Sequence, residues 1–162
     1  MSNRRKIHQN QNYDHDEKYS VWRRDIFPEL SGVDWAYCTD IDWVEWRRGR
    51  PVAFIECRRA IGSLPTAEAV IKHFKTLNNG FQFEVLARVA KETGAKAYIV
   101  GIEDRSIDSD DYSNARFVVE EVIPPKNYNE EGRINLNDIK VKRLPSMNQE
   151  QYVKFIRYLS LK

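Results

Sequence analysis

The chain has 162 residues, with 26 Lys and Arg against 24 Asp and Glu, a formal net charge of +2, 41% hydrophobic residues and 2 Cys. That length suffices for one domain with a real core, and a charge so near neutrality names no partner by itself, so only its local distribution can. Cys38 and Cys57 are too few for a disulfide framework and have no companions at zinc-ligand spacing; with no signal-peptide apolar region and no membrane-length apolar run, the expectation is a soluble cytoplasmic protein with reduced thiols.

Residues 1–12 are polar and basic and read as a disordered tail, with a phosphate-contacting arm as the functional alternative. Residues 13–162 read as a single domain. Asp14 and Glu17 resemble a capping box, and Tyr19, Trp22 and Ile26 lie on one face of a helix that Pro28 ends. After a loop at Ser31 and Gly32, a strand is expected from near Trp35 or Ala36 through Tyr37 towards Asp42, with Trp46 as its furthest extent. Alternation puts Asp40, Asp42, Val44 and Trp46 on one face and Ile41, Trp43 and Glu45 on the other. Val52 to Cys57 is a short apolar run, consistent with a central strand, and Pro51 is tolerated at its start.

Gly49 lies midway in sequence between Asp42 and Glu56. A hairpin symmetric about it makes the two acids cross-strand partners on one face. Carboxylates that close repel each other unless a cation lies between them. A metal ion is one such cation; Arg58, on the same face as Glu56, is the other, and then the arrangement is a plain ion pair. Arginine gathers around the same hairpin, at Arg47, Arg48, Arg50, Arg58 and Arg59.

Further along, Thr66 is an N-cap for a helix with Val70, Ile71, Phe74 and Leu77 at helical spacing. Asn78, Asn79 and Gly80 break it. A second helix runs from near Phe81 to a C-cap at Gly94, with Val85, Leu86 and Val89 as its apolar stripe and Gln82 on the same stripe. Ala97 to Ile102 reads as a buried strand, so a right-handed parallel connection from the Val52 strand is expected. The acidic stretch from Glu103 to Ala115 lacks the glycine and terminal glutamate of a calcium loop and reads as solvated. Phe117 to Ile123 is a further strand, with one short strand around Ile139 to Val141. Ser146 and Gln149 form a capping box for a last helix presenting Tyr152, Val153, Ile156 and Leu159. His8, His15 and His73 have no common-metal spacing, and no P-loop, dinucleotide fingerprint or nucleophile elbow occurs. Core packing is the expected role of Trp22, Trp35, Trp43 and Trp46, with base stacking the alternative.

The element order, with acids on a first helix (Glu17), on one hairpin strand (Asp42) and at the end of the next (Glu56), resembles the PD-(D/E)XK nuclease superfamily. The spacing is most similar to archaeal Holliday-junction resolvases and related small phage and archaeal nucleases. The resemblance rests on Asp42, the Gly49 turn and the run from Val52 to Arg58, and covers roughly residues 14–102. It implies an α/β fold with an αβββαβ core, a central mixed sheet flanked by helices. It further implies a Mg²⁺- or Mn²⁺-dependent DNA endonuclease. In that site Asp42, Glu56 and the Cys57 carbonyl hold the metal, Glu17 holds a metal-bound water or supports a second ion, Arg58 and Gln82 complete the catalytic residues, and Arg47, Arg48, Arg50 and Arg59 meet DNA. Asp40 is the reserve ligand, and a homodimer is the expectation for cutting both strands. One departure stands out: Arg58 takes the place of the family lysine and, always charged, cannot act as a base. A catalytically silent DNA-binding module with the same fold is therefore the alternative, and an unrelated α/β protein with a structural Glu56–Arg58 pair is a third.

Overall fold

The computed structural model describes residues 41–104 and 112–161. The chain divides into two compact units, Met1–Cys38 and Thr39–Lys162; all described residues belong to the second. The expected basic tail, the first helix with Glu17, and Cys38, Asp40, Trp22 and Trp35 lie outside them.

Two strands open the described part, β1 (Trp43–Arg47) and β2 (Arg50–Arg59). Between them Arg48 and Gly49 both have positive φ, 48° and 75°, as a two-residue hairpin turn of the primed type requires. Helix α1 (Ala67–Thr76), a 3₁₀ turn (Leu77–Gly80) and helix α2 (Phe81–Thr93) then carry the chain to β3 (Lys96–Glu103). Strands β4 (Arg116–Ile123) and β5 (Lys140–Arg143) and helix α3 (Gln149–Leu161) follow. The sheet order is β1-β2-β3-β4-β5. Only β2 and β3 are parallel, and every other neighbouring pair is antiparallel. The protein is thus an α/β structure, a five-stranded mixed sheet flanked by three helices. The helical connection between β2 and β3 meets the requirement that parallel neighbours be joined by a crossover.

Each sheet face has its own core. On one face Phe54, Ile99, Val118 and Val122 pack with Ile71, Phe74, Phe83 and Leu86 of α1 and α2. On the other, Ile55, Tyr98, Val100, Phe117 and Val119 pack with Leu159, Tyr152 and Phe155 of α3. Tyr152 stacks on Phe117 with ring centroids 4.4 Å apart. Strands covered on both faces need unbroken apolar runs rather than alternation, which is why Val52 to Ile55 and Ala97 to Ile102 look continuous.

Two helix details differ from expectation. The buried stripe of α2 is Phe83, Leu86, Ala87 and Ala90, about one residue round from the Val85, Leu86 and Val89 stripe. The alanines let the helix lie close to the sheet, while Val89 packs at the margin of that core. The capping box of α3 is formed by Asn148 and Gln151, not by Ser146 and Gln149. The Asn148 Oδ1 accepts the Gln151 N–H and the Gln151 Oε1 accepts the Asn148 N–H, both at 2.9 Å. Met147 is held in a two-way backbone bridge with Phe117, so the chain stays extended to that point and the helix starts later. Among the described residues, no helix is long and apolar enough to cross a membrane.

Candidate metal and nucleic-acid site

The β1–β2 register decides which residues meet. Next to the turn Arg47 pairs with Arg50 and Trp46 with Pro51; beyond it Glu45 pairs with Ala53, Val44 with Phe54 and Trp43 with Ile55. Val52 is therefore the extra residue of a β-bulge. Without it, the turn would place Asp42 opposite Ile55, whose side chain belongs to the α3 face. With it, the register continued one place beyond β1 sets Asp42 opposite Glu56. The expected symmetry about Gly49 holds at this end because the bulge restores it, and an extra residue in one strand of an antiparallel pair also bends and twists it.

Asp42 is exposed, and its Oδ2 accepts the backbone N–H of Cys57 at 2.8 Å. This fixes its carboxylate beside the peptide that follows Glu56. Glu56 is only 6% exposed, the one charged side chain among the described buried residues. Its Oε1 lies 2.5 Å from Nη2 of Arg58. The same nitrogen donates to Oε1 of Gln82 at 3.1 Å, and the guanidinium lies over the Phe74 ring, 5.1 Å from its centroid. Glu56, Arg58 and Gln82 therefore meet on the α1–α2 face, as alternation along β2 requires. Gln82 is brought there by the first turn of α2, which Gly80 enters with φ 79°.

The residue between Glu56 and Arg58 points the other way. Cys57 packs against the α3 core. Burial pushes its thiol up to about 12, with the Asp42 carboxylate adding to the shift and a hydrogen bond with Tyr152 opposing it. The thiol faces away from the Glu56 side of the strand. Only the Cys57 carbonyl remains as a donor from this residue.

The oxygens that a metal could use here are those of Asp42, Glu56 and a backbone carbonyl, all of them hard donors. This suits Mg²⁺, which commonly uses one or two carboxylates together with waters and phosphate oxygens. Among the described residues, no three His, Cys, Asp or Glu side chains gather into a metal-holding group. Glu17 lies outside the described part.

The arginines separate into two sets. Arg48 and Arg50 flank the turn and are exposed. Arg47 is half-buried, with Nη1 enclosed and lacking a hydrogen-bond partner among the described residues. Arg59 is engaged locally, 2.9 Å from Oδ2 of Asp104 and over the Tyr112 ring.

Two residues given to the core by sequence reasoning stand elsewhere. Trp43 and Trp46 are 62% and 61% exposed, because β1 has no neighbour on its outer side among the described strands. The available signal was alternation, which sets Trp46 on the face of Asp42. Compared with known proteins, the chain matches no family model, no curated protein and no solved structure.

Proposed function

We propose that the protein is a metal-dependent DNA endonuclease whose site is built on the β1–β2 hairpin. The observation that carries this reading is the bulged register, which sets the Asp42 carboxylate on the Cys57 amide beside the buried Glu56. In this proposal the five-stranded sheet belongs to a restriction-endonuclease-like αβββαβ core. Asp42, Glu56 and the Cys57 carbonyl would hold Mg²⁺ or Mn²⁺. The bound ion would supply a water of lowered pKa and offset charge on the scissile phosphate. Arg58 contributes fixed positive charge and directed donors rather than proton transfer, since a guanidinium stays protonated. Gln82 restrains Arg58 through its carbonyl oxygen. Arg48 and Arg50 add backbone affinity that falls with salt, and a homodimer would bring two sites to two strands.

A second reading, the silent DNA-binding module, is favoured by the 2.5 Å contact between Arg58 and Glu56. A guanidinium there already supplies the cation that Glu56 needs. Incubation of plasmid and branched DNA with Mg²⁺ or Mn²⁺ separates the two. The endonuclease reading expects metal-dependent cleavage that drops at least about 100-fold in Glu56→Ala and Asp42→Asn. Cleavage surviving Glu56→Ala would assign it to another site or a contaminant. DNA binding with no cleavage in either metal would establish the silent module.

A further inference from the structure

The exposed tryptophans are not spread at random over the surface. Trp43 and Trp46 lie three residues apart on β1, outermost among the described strands, next to a turn carrying exposed Arg48 and Arg50. Alternation along β1 puts Trp46 on the face of Val44, which packs with Phe54 on the α1–α2 side. That is the face on which Arg58 meets Glu56 and Gln82. Trp46 follows Asp42 by four residues, about 13 Å of extended strand. Trp43, opposite Ile55, lies on the other face. The two rings thus flank β1 on either side, and the turn arginines lie beyond them.

A large aromatic left in water is costly unless something covers it in use. The occupant has to match both apolar rings and adjacent fixed positive charge. A second copy paired two-fold along β1 would use the backbone edge of the strand and leave in water the indoles that project from its two faces. Nucleic acid with unpaired bases supplies both features, phosphates for the guanidinium groups and open π-faces for the indoles. A paired duplex offers the phosphates but keeps its base faces stacked away.

We propose that the β1–β2 hairpin is a stacking platform for unpaired bases, with Trp46 as its main ring and Arg48 and Arg50 as phosphate contacts. This deepens the nuclease reading and rests on it for the direction of the strand, which would run from the turn along β1 towards Asp42 and Glu56. The substrate class is then single-stranded or locally unpaired nucleic acid rather than continuous duplex.

The test uses the full chain in EDTA, so that binding is read without turnover. Fluorescence anisotropy is followed for a labelled single-stranded oligonucleotide and for its duplex. The expected result is tighter binding of the single strand, weakened about tenfold by Trp46→Ala and largely kept by Trp46→Phe. Arg48→Ala with Arg50→Ala should weaken both forms and flatten the salt dependence. Because Trp46 is a surface residue, its variants should keep the parent melting temperature; the Trp46→Phe protein gives the comparison if Trp46→Ala melts early. Equal binding of single strand and duplex, or single-strand binding unchanged in Trp46→Ala, would overturn the platform. So would loss of a dimer in Trp46→Ala with DNA binding intact, which would make the strand a self-association edge. Metal-dependent cleavage by the parent protein and Glu56→Ala is scored separately. Glu56-dependent cleavage with Trp46-independent binding sinks the platform alone, and Trp46-dependent binding without cleavage sinks the nuclease alone.

Discussion

At the scale of single residues, the chemistry turns on Glu56 and Arg58. A carboxylate in a strand covered on both faces costs free energy unless a cation and hydrogen-bond donors compensate. Arg58 supplies the cation, and Phe74 and Gln82 hold its guanidinium in place. A lysine would keep the charge and lose the fork, and could exchange a proton when its pKa is lowered. Arg58→Lys should therefore raise metal-dependent cleavage by about tenfold or more while lowering stability by about 1 kcal/mol through the lost Gln82 bond. Cleavage kinetics and urea unfolding on one preparation check both parts, and a stable variant with unchanged rate would remove proton exchange from the argument. The Glu56–Arg58 pairing was legible because residues two apart on a strand share a face. The exposure of Trp43 and Trp46 was not, because aromatic residues in a strand usually signal packing and nothing local marks an outer strand.

At the scale of elements, the start of α1 shows how the helices are tied to the sheet. Thr66 caps it as its sequence suggests, accepting the Ala69 N–H at 3.1 Å. Glu103 of β3 accepts the Ala67 N–H at 3.2 Å. Arg116 of β4 makes a two-pronged contact to Glu68, at 2.9 and 2.6 Å, and meets Glu103 at 2.7 Å. Arg143 of β5 also pairs with Glu68. These hydrogen bonds from Arg116 hold the Glu68 carboxyl at about 2, well below its usual 4.5, and lower Glu103 as well. A carboxylate whose pKa is depressed on folding stabilises the fold above its unfolded pKa and loses that contribution as pH falls through the folded one. The window for Glu68 is therefore from about 4.5 down to about 2. Thermal unfolding across that range should show stability falling with acid, and Glu68→Gln should flatten the slope. Solvent screening keeps the effect modest, since the Glu68 side chain is 39% exposed. An identical slope in both proteins would show that Glu68 is not the group being titrated. Sequence reasoning found the Thr66 cap, which is local, and missed this clamp, whose members come from four separate elements.

At the scale of the whole molecule, the close seating of α1 on β3 depends on one glycine. A Cβ placed on Gly101 would lie 2.4 Å from the Ala67 carbonyl oxygen and 2.9 Å from its carbon. Backbone cannot yield as a flexible side chain would, so helix and strand would have to separate. Gly101→Ala should cost about 1–3 kcal/mol and lower the melting temperature by several degrees. A Gly101→Ala protein melting with the parent would mean that α1 can shift at little cost. The same seating brings Phe74 of α1 under Arg58, so this contact links the stability of the layer to the order of the candidate site.

The amino-acid sequence by itself determined the α/β class, the helical connection between β2 and β3, the existence of every described strand, and the shared face of Glu56 and Arg58. These follow from apolar run length, caps and the two-residue period of a strand, all properties of neighbours along the chain. The tertiary structure decided the remainder. It chose the Phe83 stripe of α2 over its neighbour, because the alanines fit against the sheet. It set the start of α3 at Gln149 with Asn148 as its cap, because Met147 is bound to Phe117 of β4. It also placed a bulge at Val52, which keeps the Trp43–Ile55 end of the ladder symmetric about Gly49, and only pairing between strands reveals which residue a bulge leaves out.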